Sequence, residues 1–308
     1  MEPEEKRNNV SKVLIFGFQN LEDNKYSLFC LLLLTFCVTI CGNSLIIILV
    51  SCSKNLKYPM YFFLSQLSIC DILLSITIGP ITLDVVLNDG GTISLAGCIL
   101  QYIIFLMSEC SECNFLTVMS YDRYLAICNP LHYASIMENG LCKYLSFMCW
   151  TLSILYSLIL SSSIKSLYFC GPNTIDHFFC DLDPLLKLSC SDVSFIHMEA
   201  IVLSVPGVVC PFLIIMASYI CIVNAVLNIS SVSGRQKAFF TCSSHLTVVC
   251  LYYGTVIAVY MFPTSLHTLT MNKIFTMIYT VMTPSLNPII YSLRNKDIHM
   301  ALKMISVK

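Results

Sequence analysis

The chain has 308 residues, of which 56% are hydrophobic and 11% charged, and its formal net charge is −1. A soluble domain carries about 25% charged residues, so this chain cannot cover itself with polar groups in water. A polytopic membrane protein is the expectation, and a near-neutral charge argues against a nucleic-acid binder. The 18 cysteines do not form a small disulfide scaffold, because many lie in apolar runs, where a free thiol acts as a small hydrophobe.

Residues 1–25 are polar and read as an outer N-terminal tail carrying Glu2, Glu4, Glu5, Lys6 and Arg7. No apolar h-region with a small-residue cleavage site follows, so the first long apolar run is expected to act as the targeting signal. Asn9-Val10-Ser11 is a glycosylation acceptor pattern. Asn228-Ile229-Ser230 has the same pattern, on what the topology below makes the inner side.

A helical span needs about 20 mostly apolar residues. Seven runs qualify: 26–50, 58–82, 96–121, 141–162, 197–223, 238–262 and 270–292. They predict an all-α bundle over 26–292, with a cytoplasmic tail at 293–308. A transmembrane β-barrel would show short alternating segments instead.

Basic residues of short loops set the orientation. With the N-terminus outside, the inner segments hold Lys54, Lys57, Arg123, Lys143, Arg235, Lys237, Arg294, Lys296, Lys303 and Lys308. The outer connections beyond the tail hold Lys165, Lys187 and Lys273, and one outer loop gathers Asp176, Asp181, Asp183 and Asp192. The reading is N-out and C-in. After the last run, Ile298, Ala301, Leu302 and Ile305 recur at helical spacing, which predicts a short amphipathic helix on the inner leaflet.

Met119 to Cys128 closes the third run with Asp122-Arg123. An arginine there is costly unless it sits at a membrane boundary, faces other helices or has a partner. Cys98 stands about 25 residues earlier, roughly 37 Å of helix, so it sits at the outer rim when Arg123 sits at the inner one. The inner part of the sixth run offers Lys237 rather than an acid, so a cross-helix salt bridge to Arg123 from there is not expected.

Cys98, Cys170, Cys180 and Cys190 share the outer, oxidising side, which favours two disulfides. Spacing leaves all three pairings open. A metal site using His177 and Cys180 is the alternative. Asp71, Glu109 and Glu112 are acids within spans, and such acids are functional-site candidates. Asp71 and Glu112 fall at similar depth. Two buried carboxylates repel unless a cation lies between them or one is protonated. A sodium ion is one reading, and protonated acids bonded to Ser68, Ser111 or Asn287 are the other. Pro206 and Pro211 interrupt the fifth run, and Pro284 and Pro288 the seventh, which predicts local breaks in helical bonding. Ser243-Ser244-His245 has no acid nearby in sequence and reads as a packing and hydrogen-bonding face. No Walker loop, HExxH or dinucleotide fingerprint occurs, so no enzyme is expected.

Gly42-Asn43, Pro59-Met60-Tyr61-Phe62-Phe63-Leu64, Asp71, Met119 to Cys128 with Asn129-Pro130-Leu131-His132-Tyr133, and Ser218-Tyr219 come in order. Lys237-Ala238-Phe239, Thr241 to Leu246, and Pro284 to Asn295 complete the set. In these motifs, over essentially its whole length, the chain resembles vertebrate olfactory receptors, which are rhodopsin-like G-protein-coupled receptors.

That resemblance implies pairing of Cys98 with Cys180 and Cys170 with Cys190. It implies an inner switch of Asp122 and Arg123, with Tyr219 and Tyr291 moving toward Arg123 on activation, and a sodium site at Asp71 and Glu112. It implies an odorant pocket that includes Phe105, Leu106, Glu109, Cys110, Ser204, Gly207, Tyr253, Ile257, Tyr260 and Tyr279. The implied partner is a stimulatory olfactory-type G protein that raises cyclic AMP at the plasma membrane. Ser120, Phe240 and Tyr252 stand where the family usually has Ala, Ser and Phe. Glu109 stands where a neutral residue is expected, and an ionised Glu109 would favour amine-bearing ligands. A transporter is the competing class, but the internal repeats such folds carry are not found.

Overall fold

The computed structural model describes residues 11–18, 24–53, 56–260, 269–294, 298, 300 and 301. Among them, six helices are long and apolar enough to cross a bilayer. These are α1 (Lys25–Cys52), α2 (Pro59–Leu87), α3 (Leu95–Cys128), α5 (Asn139–Lys165), the span Ser194–Leu227, and α9 (Val232–Tyr260). The seventh span runs unbroken through α10 (Leu269–Met277), a π-helical turn (Ile278–Met282) and α11 (Thr283–Arg294). The architecture is a seven-span helix bundle. Exposed Leu34, Ile48, Phe147 and Leu213 lie on its outer faces, where lipid replaces water as solvent. Two short helices, α4 (Pro130–Ile136) and α6 (Leu182–Leu186), lie in connections.

The prolines act where expected. The fifth span is α7 (Ser194–Ser204), a π turn (Val205–Val209) and α8 (Cys210–Leu227), with Pro206 and Pro211 at the turn. In the seventh, Pro288 has no N–H to give the carbonyl four residues back, which is that of Pro284. Asn43 of α1 supplies the missing donor, its Nδ2 lying 3.1 Å from the Pro284 carbonyl oxygen. Gly42 lets the two helices approach: a Cβ there would lie 2.9 Å from Pro288 Cγ. The Gly42-Asn43 pair and the proline motif thus form one joint between first and last spans.

The outer end carries a structure that a polar-tail reading does not anticipate. β1 (Lys12–Ile15) pairs antiparallel with β2 (Gly91–Ser94) and parallel with β3 (Thr174–Ile175). Val13 and Ile15 are fully buried beneath this sheet. Disulfides join Cys98 to Cys180 and Cys170 to Cys190. Gln101 adds a polar tie, donating to the Thr77 carbonyl at 2.8 Å and accepting from the Cys180 N–H at 3.0 Å. Lys273, nearly buried, donates to the Gly17 carbonyl at 2.7 Å and pairs with Asp176. Three segments remote in sequence therefore meet at one cation. Asn9 lies outside the described residues, as do Leu302 and Ile305 of the expected tail helix. Within that tail, Ile298 and Ala301 are buried.

Candidate functional site: an outer-half cavity above an inner ion pair

A cavity of about 530 Å³ opens between α3, α5, the fifth span, α9 and the π turn of the seventh span. Of the ten pocket positions read from the sequence, all but Tyr260 line it, and the side chain of Tyr260 lies outside the described residues. The walls are mostly apolar and aromatic. Phe105 packs edge-on to Phe179 and Tyr279, with ring centroids 5.1 and 6.3 Å away. Phe212 lies 4.9 Å from Tyr253. The volume suits a small molecule, and few polar groups converge on it.

Those polar groups are unevenly distributed. Glu109 is 5% exposed. The Tyr252 hydroxyl donates to its Oε2 at 3.2 Å and to its backbone carbonyl at 3.3 Å. Tyr252 also meets the Cys113 thiol at 3.0 Å. Glu109 Oε1 and the Tyr253 hydroxyl have no direct hydrogen-bond partner among the described residues. At the mouth stand Asp181, Asp183 and His197. Burial pushes the Asp181 carboxyl up to about 6, against the lowering effect of the Leu182 N–H, and nearby Asp183 raises it further. Tyr252, Phe212, Tyr156 and the loop acids also line the pocket, beyond the positions the resemblance implies. Tyr252 had one available signal, its departure from the usual Phe, and that added hydroxyl reaches the other departure, Glu109.

Below the cavity, Asn287 Nδ2 donates to both Asp71 carboxyl oxygens at 3.1 Å. Glu112 Oε1, Ser68 Oγ and Asn287 Oδ1 lack partners among the described residues. Ser111 bonds back to the Met107 carbonyl, so of the three partners named for protonated acids, Asn287 alone contacts one. No group of three or more His, Cys, Asp or Glu side chains is arranged for a metal among the described residues. The His177–Cys180 alternative fails because Cys180 is consumed by its disulfide. His177 is instead buried and stacked on Phe178, and burial followed by Lys273 lowers its pKa to about 3. It is therefore neutral at physiological pH.

At the inner end, Arg123 lies against Asp122, with Nη2–Oδ2 at 2.5 Å and Nε–Oδ2 at 3.1 Å. Tyr133 of α4 donates to the other Asp122 oxygen at 2.8 Å. The same burial, reinforced by Asp122, raises the Tyr133 phenol above its usual range, so it stays a donor. Tyr219 meets His245 Nδ1 at 2.7 Å, and His245 Nε2 lies 3.1 Å from the Leu116 carbonyl. His245 is fully buried and joins α3, the fifth span and α9, as its reading as a packing face expects. Tyr291 is also fully buried. The side chain of Lys237 lies outside the described residues.

A seven-span bundle with an outer cavity, a disulfide-tied outer loop and an Asp-Arg pair at the inner end of the third span defines a G-protein-coupled-receptor type of membrane protein. The family model described as "Olfactory receptor" matches residues 29–308. Human olfactory receptor 11L1 is 43% identical over 305 residues, covering 99% of this chain and 94% of the relative. Mouse olfactory receptor 5P53 is 42% identical over 306 residues, covering 99% and 98%. Human olfactory receptor 10A7 is 40% identical over 299 residues, covering 97% and 95%. The chain belongs to the olfactory receptor family. It is a multi-pass plasma-membrane protein and not an enzyme.

Proposed function

We propose that the chain is an odorant receptor that binds small volatile ligands in the outer-half cavity and activates a stimulatory olfactory-type G protein, raising cyclic AMP. The observation that carries the reading is the vertical arrangement: a largely apolar cavity on one half of α3 and a buried Asp122–Arg123 pair at its other end. A ligand shifts such a bundle only by binding its active packing more tightly than its resting one. Activation then releases Arg123 from Asp122 and lets Tyr219 and Tyr291 move toward it. Because few hydrogen bonds are on offer, affinity is weak and tuning broad.

Asp71 and Glu112 form a site for sodium acting as an allosteric modulator. The unpartnered oxygens of Glu112, Ser68 and Asn287 are of the kind that ion takes. Asn9 carries the outer glycan. The test is an odorant panel with a cyclic AMP readout in transfected cells. An agonist-dependent rise, lost on Arg123→Ala with surface expression intact, is expected. A rise that survives Arg123→Ala contradicts the coupling route.

A further inference from the structure

The cavity's charges point to a narrower ligand class. Its lining contains three carboxyl groups, Glu109 deep inside and Asp181 and Asp183 at the mouth, and no lysine or arginine among the described residues. Glu109 is nine-tenths buried, lines the cavity, and keeps Oε1 without a direct partner. An unpartnered buried acceptor costs free energy until a donor reaches it. Tyr252 donates to Oε2, Tyr279 also hydrogen-bonds the carboxyl group, and Oε1 keeps no direct partner among the described residues. The wall around this acid is apolar and aromatic: Phe105, Leu106, Phe212, Val256 and Ile257.

Resting on the odorant-receptor reading of this site, we infer that its preferred ligands are small protonated amines with an apolar body. The ammonium group is held by Glu109 Oε1, and the aromatic wall covers the rest. An N–H donor to a carboxylate makes a charge-assisted hydrogen bond, roughly twice as strong as a neutral one. Ring faces near a cation add to that attraction. Asp181 and Asp183 act earlier: acids of one sign at a cleft mouth raise the local concentration of cations and speed their entry. Tyr252 is a positioning residue here, since its hydroxyl fixes the carboxyl group through Oε2.

The test uses matched pairs: 2-phenylethylamine with 2-phenylethanol, and cyclohexylmethylamine with cyclohexylmethanol. Each is measured two ways, by cyclic AMP in cells and by ligand-induced thermal stabilisation of the full-length receptor in detergent. The amines should stabilise the receptor at concentrations about tenfold lower than their alcohols. Glu109→Gln, at matched surface expression, should remove that advantage, and Glu109→Asp should keep part of it. Asp181→Asn with Asp183→Asn should weaken the amines less, and the loss should shrink at high salt. Tyr252→Phe should erode the amine advantage. Amines that bind no better than alcohols, or an advantage that survives Glu109→Gln, would overturn the inference. Failure of Glu109→Gln to reach the surface shifts the decision to Glu109→Asp and Tyr252→Phe, where an undiminished amine advantage overturns it equally. Stabilisation by amines without a cyclic AMP rise refutes the coupling reading and supports the ligand class. A cyclic AMP rise from non-amines alone does the reverse.

Discussion

The two ends of the bundle are held by different chemistry. At the outer end, two disulfides, a three-stranded sheet and the Lys273–Asp176 pair tie the tail, the long loop and the seventh span together. At the inner end no covalent tie occurs among the described residues. Arg123 rests on its own neighbour Asp122, which is steadied by Tyr133, and His245 links α9 to its neighbours through neutral hydrogen bonds. The outer ties outlast small rearrangements beneath them. The inner ones exchange partners at modest cost. A receptor needs that asymmetry: a cavity whose roof keeps its shape, and a far end with two packings of similar free energy.

The largest effect should come from the covalent side of this comparison. Cys180→Ser removes the loop's anchor to α3 and costs about 2–5 kcal/mol. The expected result is loss of surface expression measured by antibody staining of intact cells. Wild-type staining would mean that the sheet and Gln101 hold the roof unaided. A smaller effect is expected from Tyr133→Phe, which removes one donor to Asp122 at a cost of about 1 kcal/mol. Basal cyclic AMP should rise a fewfold with surface expression unchanged. A flat baseline would remove Tyr133 from the restraint.

Much of the bundle was legible from one-dimensional patterns. Apolar run length gave the spans, basic loops gave orientation, and Pro206 marked the π turn of the fifth span. Contacts that depend on how helices rotate against one another were not legible. Glu109 and Tyr252 are 143 positions apart, and nothing along the chain says that their faces meet. Tyr133 reaches Asp122 because α4 folds back under α3, a geometry that the Asn129-Pro130 turn permits but does not announce. β1 was hidden for another reason. Four residues are too few for a convincing strand pattern, and burial of Val13 and Ile15 becomes visible once the partners β2 and β3 are in place.

The sequence offered no acid on the inner sixth span to clasp Arg123. In the structure Tyr133 steadies Asp122 through an uncharged donor, and His245 ties α9 to α3 and the fifth span. On the proposed reading, the Asp122–Arg123 pair is a weakly held restraint on the active packing. Its most direct test needs no known odorant: basal cyclic AMP of Asp122→Asn against wild type, at equal surface expression. Asp122→Asn keeps the shape of the side chain and removes the charge that holds Arg123, which weakens the resting packing, so basal signalling should rise severalfold. A baseline indistinguishable from wild type would contradict the account.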